Sequence, residues 1–326
     1  MNTELKNAVN ATDKTAQYDA SAKRLLAQKS ILAHILVKTV DEFRGMKPED
    51  VVAYIEGTPY VMTVPTEPGL TNCVYEKNGE RLVGLNTENQ ELQEGMVRFD
   101  IVFYVNIPLT SEENREYRLS QMIINIEAQR KETSEYKILN RAVFYGSRLI
   151  SSQKERDFTN SNYDDIKRVY SIWVCMNMKE NSMSYIHLTE KDLIGSGGWK
   201  GDLKLLNIIM IGLGKELPKH DEIYELHRLL GALLSEKLTV DEKLDIMETE
   251  YGTTIEEALR EEVKGMSNLG EGIMEEGIAI GVEKEKTRII FQMDKKGFSV
   301  EQIAEVTGKT KEEVETVLSG KELTLV

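Results

Sequence analysis

Cysteine is nearly absent from this 326-residue chain: there are two, Cys73 and Cys175, far apart and in no CxxC pair. A disulfide scaffold and a cysteine zinc cluster are thereby excluded. Histidine is almost as sparse. His34, His187, His220 and His227 form no HExxH and share no metal-ligand spacing. The first twenty residues are polar with no apolar core, so nothing there reads as a signal peptide. The most apolar run, from Leu205 to Leu213, is short and interrupted by Asn207 and Gly212, too little to span a bilayer. The glycine-rich Gly195-Ser196-Gly197-Gly198 lacks the GxxxxGK[ST] pattern and reads as a surface turn. These absences predict a cytoplasmic protein with no membrane partner.

Apolar residues are plentiful at 40%, enough for a full core, and the length suits two domains or one core with an appendage. The formal net charge of −14 argues at first against nucleic acid as a partner. Its distribution removes that objection. Residues 216–286 carry 19 acidic and 8 basic side chains, whereas residues 98–156 carry 10 basic and 8 acidic. The second half repels a polyanion. The first half keeps a basic set, Arg130, Lys131, Lys137, Arg141, Arg148, Lys154 and Arg156, that can receive one.

Apolar spacing of three to four over Leu25, Leu26, Ile31, Leu32, Ile35 and Leu36 predicts a helix over residues 18–43. Glycines and prolines between 56 and 95 predict loops and short strands. A strand is expected over 96–107, ended by Pro108, and a second over 122–129, the two forming an antiparallel hairpin. A helix over 133–152, capped by Thr133 or Ser134, then leads to strands over 169–176 and 184–188. That order predicts an α/β mixed sheet flanked by helices. Residues 200–250 read as helical throughout, and 255–286, with five glycines among many glutamates, as a frayed connector. Two capping boxes, Ser299 with Gln302 and Thr310 with Glu313, predict short helices on either side of Gly308. The last carries too many glutamates to lie against phosphates, so the tail reads as a packing or oligomerisation module.

Asp100 and Glu127 interrupt the two apolar strands. A carboxylate in such a run is costly to desolvate unless it is paired or holds a cation. Strand periodicity puts Glu127, Gln129 and Lys131 on one face and Ala128 and Arg130 on the other. If the strands pair, Asp100 and Glu127 converge on one divalent ion, Mg²⁺ or Mn²⁺, that activates water against a phosphodiester. The competing reading is an Asp on an exposed strand face with no special partner. On the following helix Arg141, Tyr145 and Arg148 stand at i, i+4 and i+7. They form either a phosphate clamp or a solvated face. Lys23 either approaches phosphate or pairs with Asp19 at i, i+4.

The runs Arg98-Phe99-Asp100-Ile101-Val102-Phe103, Ile124-Asn125-Ile126-Glu127-Ala128-Gln129 and Arg141-Ala142-Val143-Phe144-Tyr145 resemble the PD-(D/E)XK nuclease superfamily. The branch they resemble is that of the recombination-promoting (Rpn) nucleases and PD-(D/E)XK family transposases. Tyr18-Asp19-x-x-x-Lys23-Arg24-Leu25-Leu26, Glu94-Gly95 and Ile172-Trp173-Val174-Cys175 are similar to that group as well. The resemblance implies a nuclease-like core over 18–190 after a disordered stretch over 1–17. A helical extension over 191–254, an acidic connector over 255–286 and a small helical tail over 287–326 follow. It implies Asp100, Glu127 and the Ala128 carbonyl as ligands of Mg²⁺ or Mn²⁺, and Gln129 where the superfamily carries a catalytic Lys. An amide hydrogen-bonds a water but cannot supply the charge of an ammonium, so Lys131 is taken as the stand-in cation. Lys23, Arg141, Tyr145 and Arg148 become the phosphate contacts. The expected activity is a metal-dependent DNA endonuclease, a homo-oligomer if both strands are cut. A catalytically silent binding or assembly protein and an RNA- or nucleotide-directed hydrolase remain the alternatives.

Overall fold

The helix expected over 18–43 is two helices in the computed structural model, which describes residues 16–61, 75–77, 80–82, 88–91, 95–107, 121–130, 136–195, 197–255 and 257–319. Helix α1 (residues 16–26) buries Tyr18, Ala22, Leu25 and Leu26, and α2 (Lys29–Thr39) buries Ile31, Leu32, Ile35 and Leu36. Between them Gln28 is extended (φ −64°, ψ 128°) and turns the chain. The segment expected to be disordered lies outside the described residues up to residue 15, and residues 16 and 17 already belong to α1.

Six strands make one sheet: β1 (Tyr60–Val61), β2 (Ile101–Asn106), β3 (Gln121–Gln129), β4 (Arg168–Met178), β5 (Ser182–His187) and β6 (Leu206–Gly214). Their spatial order is β1-β2-β3-β4-β6-β5. Strands β1, β2 and β3 are mutually antiparallel, β3, β4 and β6 run parallel, and β5 returns antiparallel to β6. Parallel neighbours need a crossover. Helix α3 (Ile138–Ser151) supplies it between β3 and β4. The architecture is α/β with a mixed, open sheet, and β2 with β3 is the expected antiparallel pair.

Three expectations are corrected. The strand expected over 96–107 breaks at Phe99 and Asp100: Gly95–Arg98 pairs with Glu88–Glu91 in a separate two-stranded sheet, and only Ile101–Asn106 joins the main one. Residues 191–254, expected to be a helical extension, contain β6, which lies between β4 and β5. A central strand buried on both faces is a nearly continuous apolar run, and periodicity alone cannot separate it from a buried helix. The third is the 255–286 connector, of which residues 257–286 lie within one helix. The helix expected over 133–152 starts at Ile138, and its expected caps Thr133 and Ser134 lie outside the described residues.

Both faces of the sheet are covered. On one, Val102, Ile123 and Val169 pack with Leu149 of α3, and Trp173, Cys175 and Ile208 pack with its Ala142. Alternation along the strands sends Phe103, Ile124, Ile126, Ile172 and Ile211 to the other face, and all are buried. Helices α4 (Glu225–Leu233) and α5 (Val240–Tyr251) follow, α5 opened by a capping box of Thr239 and Glu242.

Residues Ala16–Ser267 form one compact unit, and a second begins at Asn268. Helix α6 (Glu257–Lys295) is continuous through its glycines. Its first turns bury Leu259, Val263 and Met266 at helical spacing, and such burial outweighs weak propensity. In the second unit the end of α6, α7 (Val300–Thr307) and α8 (Lys311–Leu318) enclose Ile290, Ile303, Val314 and Val317. Both expected capping boxes are present, and Gly308 adopts the left-handed conformation that ends α7 (φ 66°). Among the described residues no helix is long and apolar enough to cross a membrane.

Placing β6 inside the sheet predicts that Ile211→Ala lowers the unfolding free energy by about 2–5 kcal/mol in urea titration. A change below about 1 kcal/mol would put Ile211 outside the core.

Candidate active site

Strands β2 and β3 pair from Asn106 opposite Gln121 to Ile101 opposite Ile126. One further step in that register sets Asp100 opposite Glu127, where the chain bends and the strands part. Directly opposed residues carry their Cβ atoms about 4.5–5.5 Å apart. At this fork the side chains take over from the ladder. The Asp100 N–H donates to Glu127 Oε1 (3.1 Å), and the Ala128 N–H donates to Asp100 Oδ2 (3.0 Å). Each carboxylate thus closes a backbone donor beyond the paired residues.

Cations approach from two helices. From α1, Lys23 Nζ lies 2.6 Å from Asp100 Oδ1. From α3, Arg141 Nη2 lies 3.9 Å from Glu127 Oε2. The guanidinium is held in place: it donates to the Tyr145 hydroxyl (2.9 Å) and the Tyr136 hydroxyl (2.9 Å), and sits over the Tyr145 and Trp173 rings at 4.7 and 5.4 Å. Gln129 Oε1 is 3.5 Å from Arg141 Nη1.

Burial and, after it, the Asp100 carboxylate push the Glu127 carboxyl well above the usual glutamate range. The Asp100 N–H, Arg141 and Lys23 oppose this without cancelling it. Burial likewise raises the Tyr145 hydroxyl. Asp19 on α1 is raised by burial, with Arg130 and Lys23 opposing and Asp100 adding to the rise. Its Oδ1 is buried with no hydrogen-bond partner.

Behind Glu127 lies a polar chain inside the core. Asn125, Ser171 and Trp173 are fully buried on the α3 side of β3 and β4. Trp173 Nε1 donates to Ser171 Oγ (2.9 Å), and Ser171 Oγ lies 3.3 Å from the Asn125 amide. With the amide oriented to satisfy every group, its nitrogen donates to Glu127 Oε1 (3.2 Å) and to the Ile101 carbonyl (3.3 Å). The Ser171 hydroxyl proton then goes to the Asn125 oxygen, and the chain delivers a donor to the carboxylate.

The structure therefore gathers Asp100, Glu127, Ala128, Gln129, Lys23, Arg141 and Tyr145 around one fork. Two expectations fail. Arg148, next to the core residue Leu149 near the end of α3, is 3% exposed and forms neither a clamp nor a solvated face. Lys23 pairs with Asp100 rather than with Asp19. Lys131 lies outside the described residues. Asn125, Ser171, Trp173 and Tyr136 were not anticipated as parts of the site. A signal existed for Asn125, an amide two residues before Glu127 in an apolar strand and so on the same face.

Among the described residues no three His, Cys, Asp or Glu side chains gather into a metal-holding group. The donor set at the fork is two carboxylates and the Ala128 carbonyl, which leaves an extended strand on the same edge as the Ala128 N–H. Comparison with protein-family models, curated proteins and solved structures finds no match to the chain.

The raised Glu127 carboxyl means the folded state keeps a proton that the unfolded chain releases above its own pKa near ~4.3. Stability accordingly falls as pH rises through the window between the two values. Glu127→Gln removes that loss. The variant is expected to melt near the wild type at pH 4.5 and above it at pH 8, the gap widening as pH rises. A gap that does not widen with pH would contradict the raised carboxyl.

Proposed function

We propose that the chain is a Mg²⁺- or Mn²⁺-dependent DNA endonuclease built on a PD-(D/E)XK-like core. The observation that carries this reading is the Asp100–Glu127 pair at the strand fork, with Lys23 on one side and Arg141 on the other. The element order is compatible with it: β2, β3, α3 and β4 follow the strand, strand, helix, strand order read from the sequence for a mixed α/β sheet.

The donors fit the ion. Mg²⁺ binds through one or two carboxylates, keeps waters and accepts phosphate oxygen. Asp100, Glu127 and the Ala128 carbonyl would hold it, and a cation there offsets the repulsion that raises Glu127. When bound, the ion polarises a phosphodiester oxygen and lowers the pKa of a coordinated water. The remaining work falls to the protein. Arg141, fixed by two tyrosine hydroxyls, presents a guanidinium to a phosphate with little loss of side-chain freedom. Gln129, on the site face of β3, hydrogen-bonds the attacking water. Lys23 supplies from α1 the ammonium that β3 lacks at Gln129, the role the sequence reading assigned to Lys131.

The second reading, a catalytically silent binding or assembly protein, draws on one of the same contacts. Lys23 already neutralises Asp100, and position 129 carries an amide. Nicking of supercoiled plasmid separates the two. Wild type is expected to nick with Mg²⁺ or Mn²⁺, and Asp100→Asn to lose about 10²-fold or more. Asparagine keeps an oxygen for the Ala128 N–H, and a melting curve confirms folding. No nicking by wild type with either ion, or equal nicking by the variant, favours the silent reading. Arg141→Ala is expected to weaken DNA binding and to make log K against log salt shallower by about one.

A further inference from the structure

The two edges of the sheet differ. Among the described residues strand β1 comprises Tyr60–Val61. Strand β5 is six residues long, and five of its six side chains are exposed. Open edges are ordinarily blunted by Lys, Pro, bulges or shortness. The sequence Ser182-Met183-Ser184-Tyr185-Ile186-His187 has none of these, and residues 182–189 carry no Asp, Glu, Lys or Arg in a chain of net charge −14. At its first residue His227 Nε2 meets the Ser182 carbonyl (2.9 Å). Beyond that point the edge faces outward.

Helix α3 adds an apolar flank beside this edge. Arg141 lies on the side of α3 turned to β3, and Gly146 lies on the opposite side, where an added Cβ would come 2.4 Å from Leu206 Cδ1 of β6. Leu139 and Val143 share the Gly146 side by helical spacing, and they are 42% and 43% exposed. Ile186 of β5 packs into the cluster that holds Ile138 and Ala142 of the same helix. The open strand and the exposed helix flank are neighbours.

We propose that the β5 edge together with the Leu139–Val143 flank of α3 is the docking surface for a second copy of this chain, joined by antiparallel pairing of β5 with itself. Pairing centred on Ser184 sets it opposite the partner's Ser184 and Met183 opposite the partner's Tyr185, and brings no charged side chains together. Two copies of so acidic a chain repel each other overall, and this seam adds no charge of its own to that repulsion. A two-fold axis also closes the assembly. Pairing β5 with the partner's β5 uses the same edge on both molecules, so it ends at a dimer and does not propagate into a fibre.

Sedimentation of the full chain at about 50 µM tests this, a concentration well above the Kd of a stable dimer. The wild type is expected at twice the monomer mass. Ser184→Lys, which sets two ammonium groups beside the axis, is expected to halve that mass. Val143→Glu, on the exposed flank, is expected to raise the dissociation constant at least about tenfold. Ile278→Glu, on an exposed position of α6, leaves the mass unchanged. Hydrogen exchange adds a local readout: the amides of β5 are expected to lose protection on dilution. A wild type that sediments as a monomer overturns the proposal. So does an oligomer unmoved by both Ser184→Lys and Val143→Glu, which would place the contact elsewhere, or a mass halved equally by Ile278→Glu. A monomer at this concentration would leave the edge to a strand from another protein.

Discussion

Where β2 and β3 part, the chain faces a backbone problem before it faces a chemical one. The N–H groups of Asp100 and Ala128 lie beyond the last paired residues, and buried donors without acceptors are costly. The two carboxylates accept them, each reaching across to the other strand. That exchange forces the carboxylates together. The surrounding architecture answers the resulting repulsion: α1 brings Lys23, α3 brings Arg141, and the core delivers the Asn125 amide.

A buried carboxylate pair is not a source of net stability, and Glu127 titrates upward because burial and Asp100 outweigh its partners. The stabilising terms lie elsewhere, in a sheet covered on both faces and in α3 packed along β3, β4 and β6. Such a division, with a strained polar site held by a well-packed frame, is common where a site exists for a ligand. The frame also sets precision. Arg141 is pinned by Tyr136, Tyr145 and Trp173, so its charge stands in a fixed position relative to the fork.

The same sheet divides its surface by charge. The site end gathers carboxylates and cations, while the β5 edge carries neither. With the β5 edge open and neutral, the molecule is polarised across the sheet as well as along the chain. The acidic 216–286 stretch reaches back to the first half, where Glu236 pairs with Arg130 (2.6 Å) and Glu262 with Arg24 (2.9 Å).

Local chemistry was legible in the sequence wherever a short segment determines its own conformation. The capping boxes at Ser299 and Thr310 and the Gly308 stop follow from neighbours a few residues apart. Asp100 and Glu127 stood out because a carboxylate in an apolar strand has so few affordable environments. The tertiary structure decided what depends on distant partners. Leu206–Gly214 is a strand because parallel β4 and antiparallel β5 lie on either side of it, which an apolar run cannot announce. The glycine-rich 257–286 stretch is helical because its first turns bury Leu259, Val263 and Met266. Arg148 turned inward and Lys23 went to Asp100 rather than to Asp19, because packing and charge across the fold outweigh spacing along one helix.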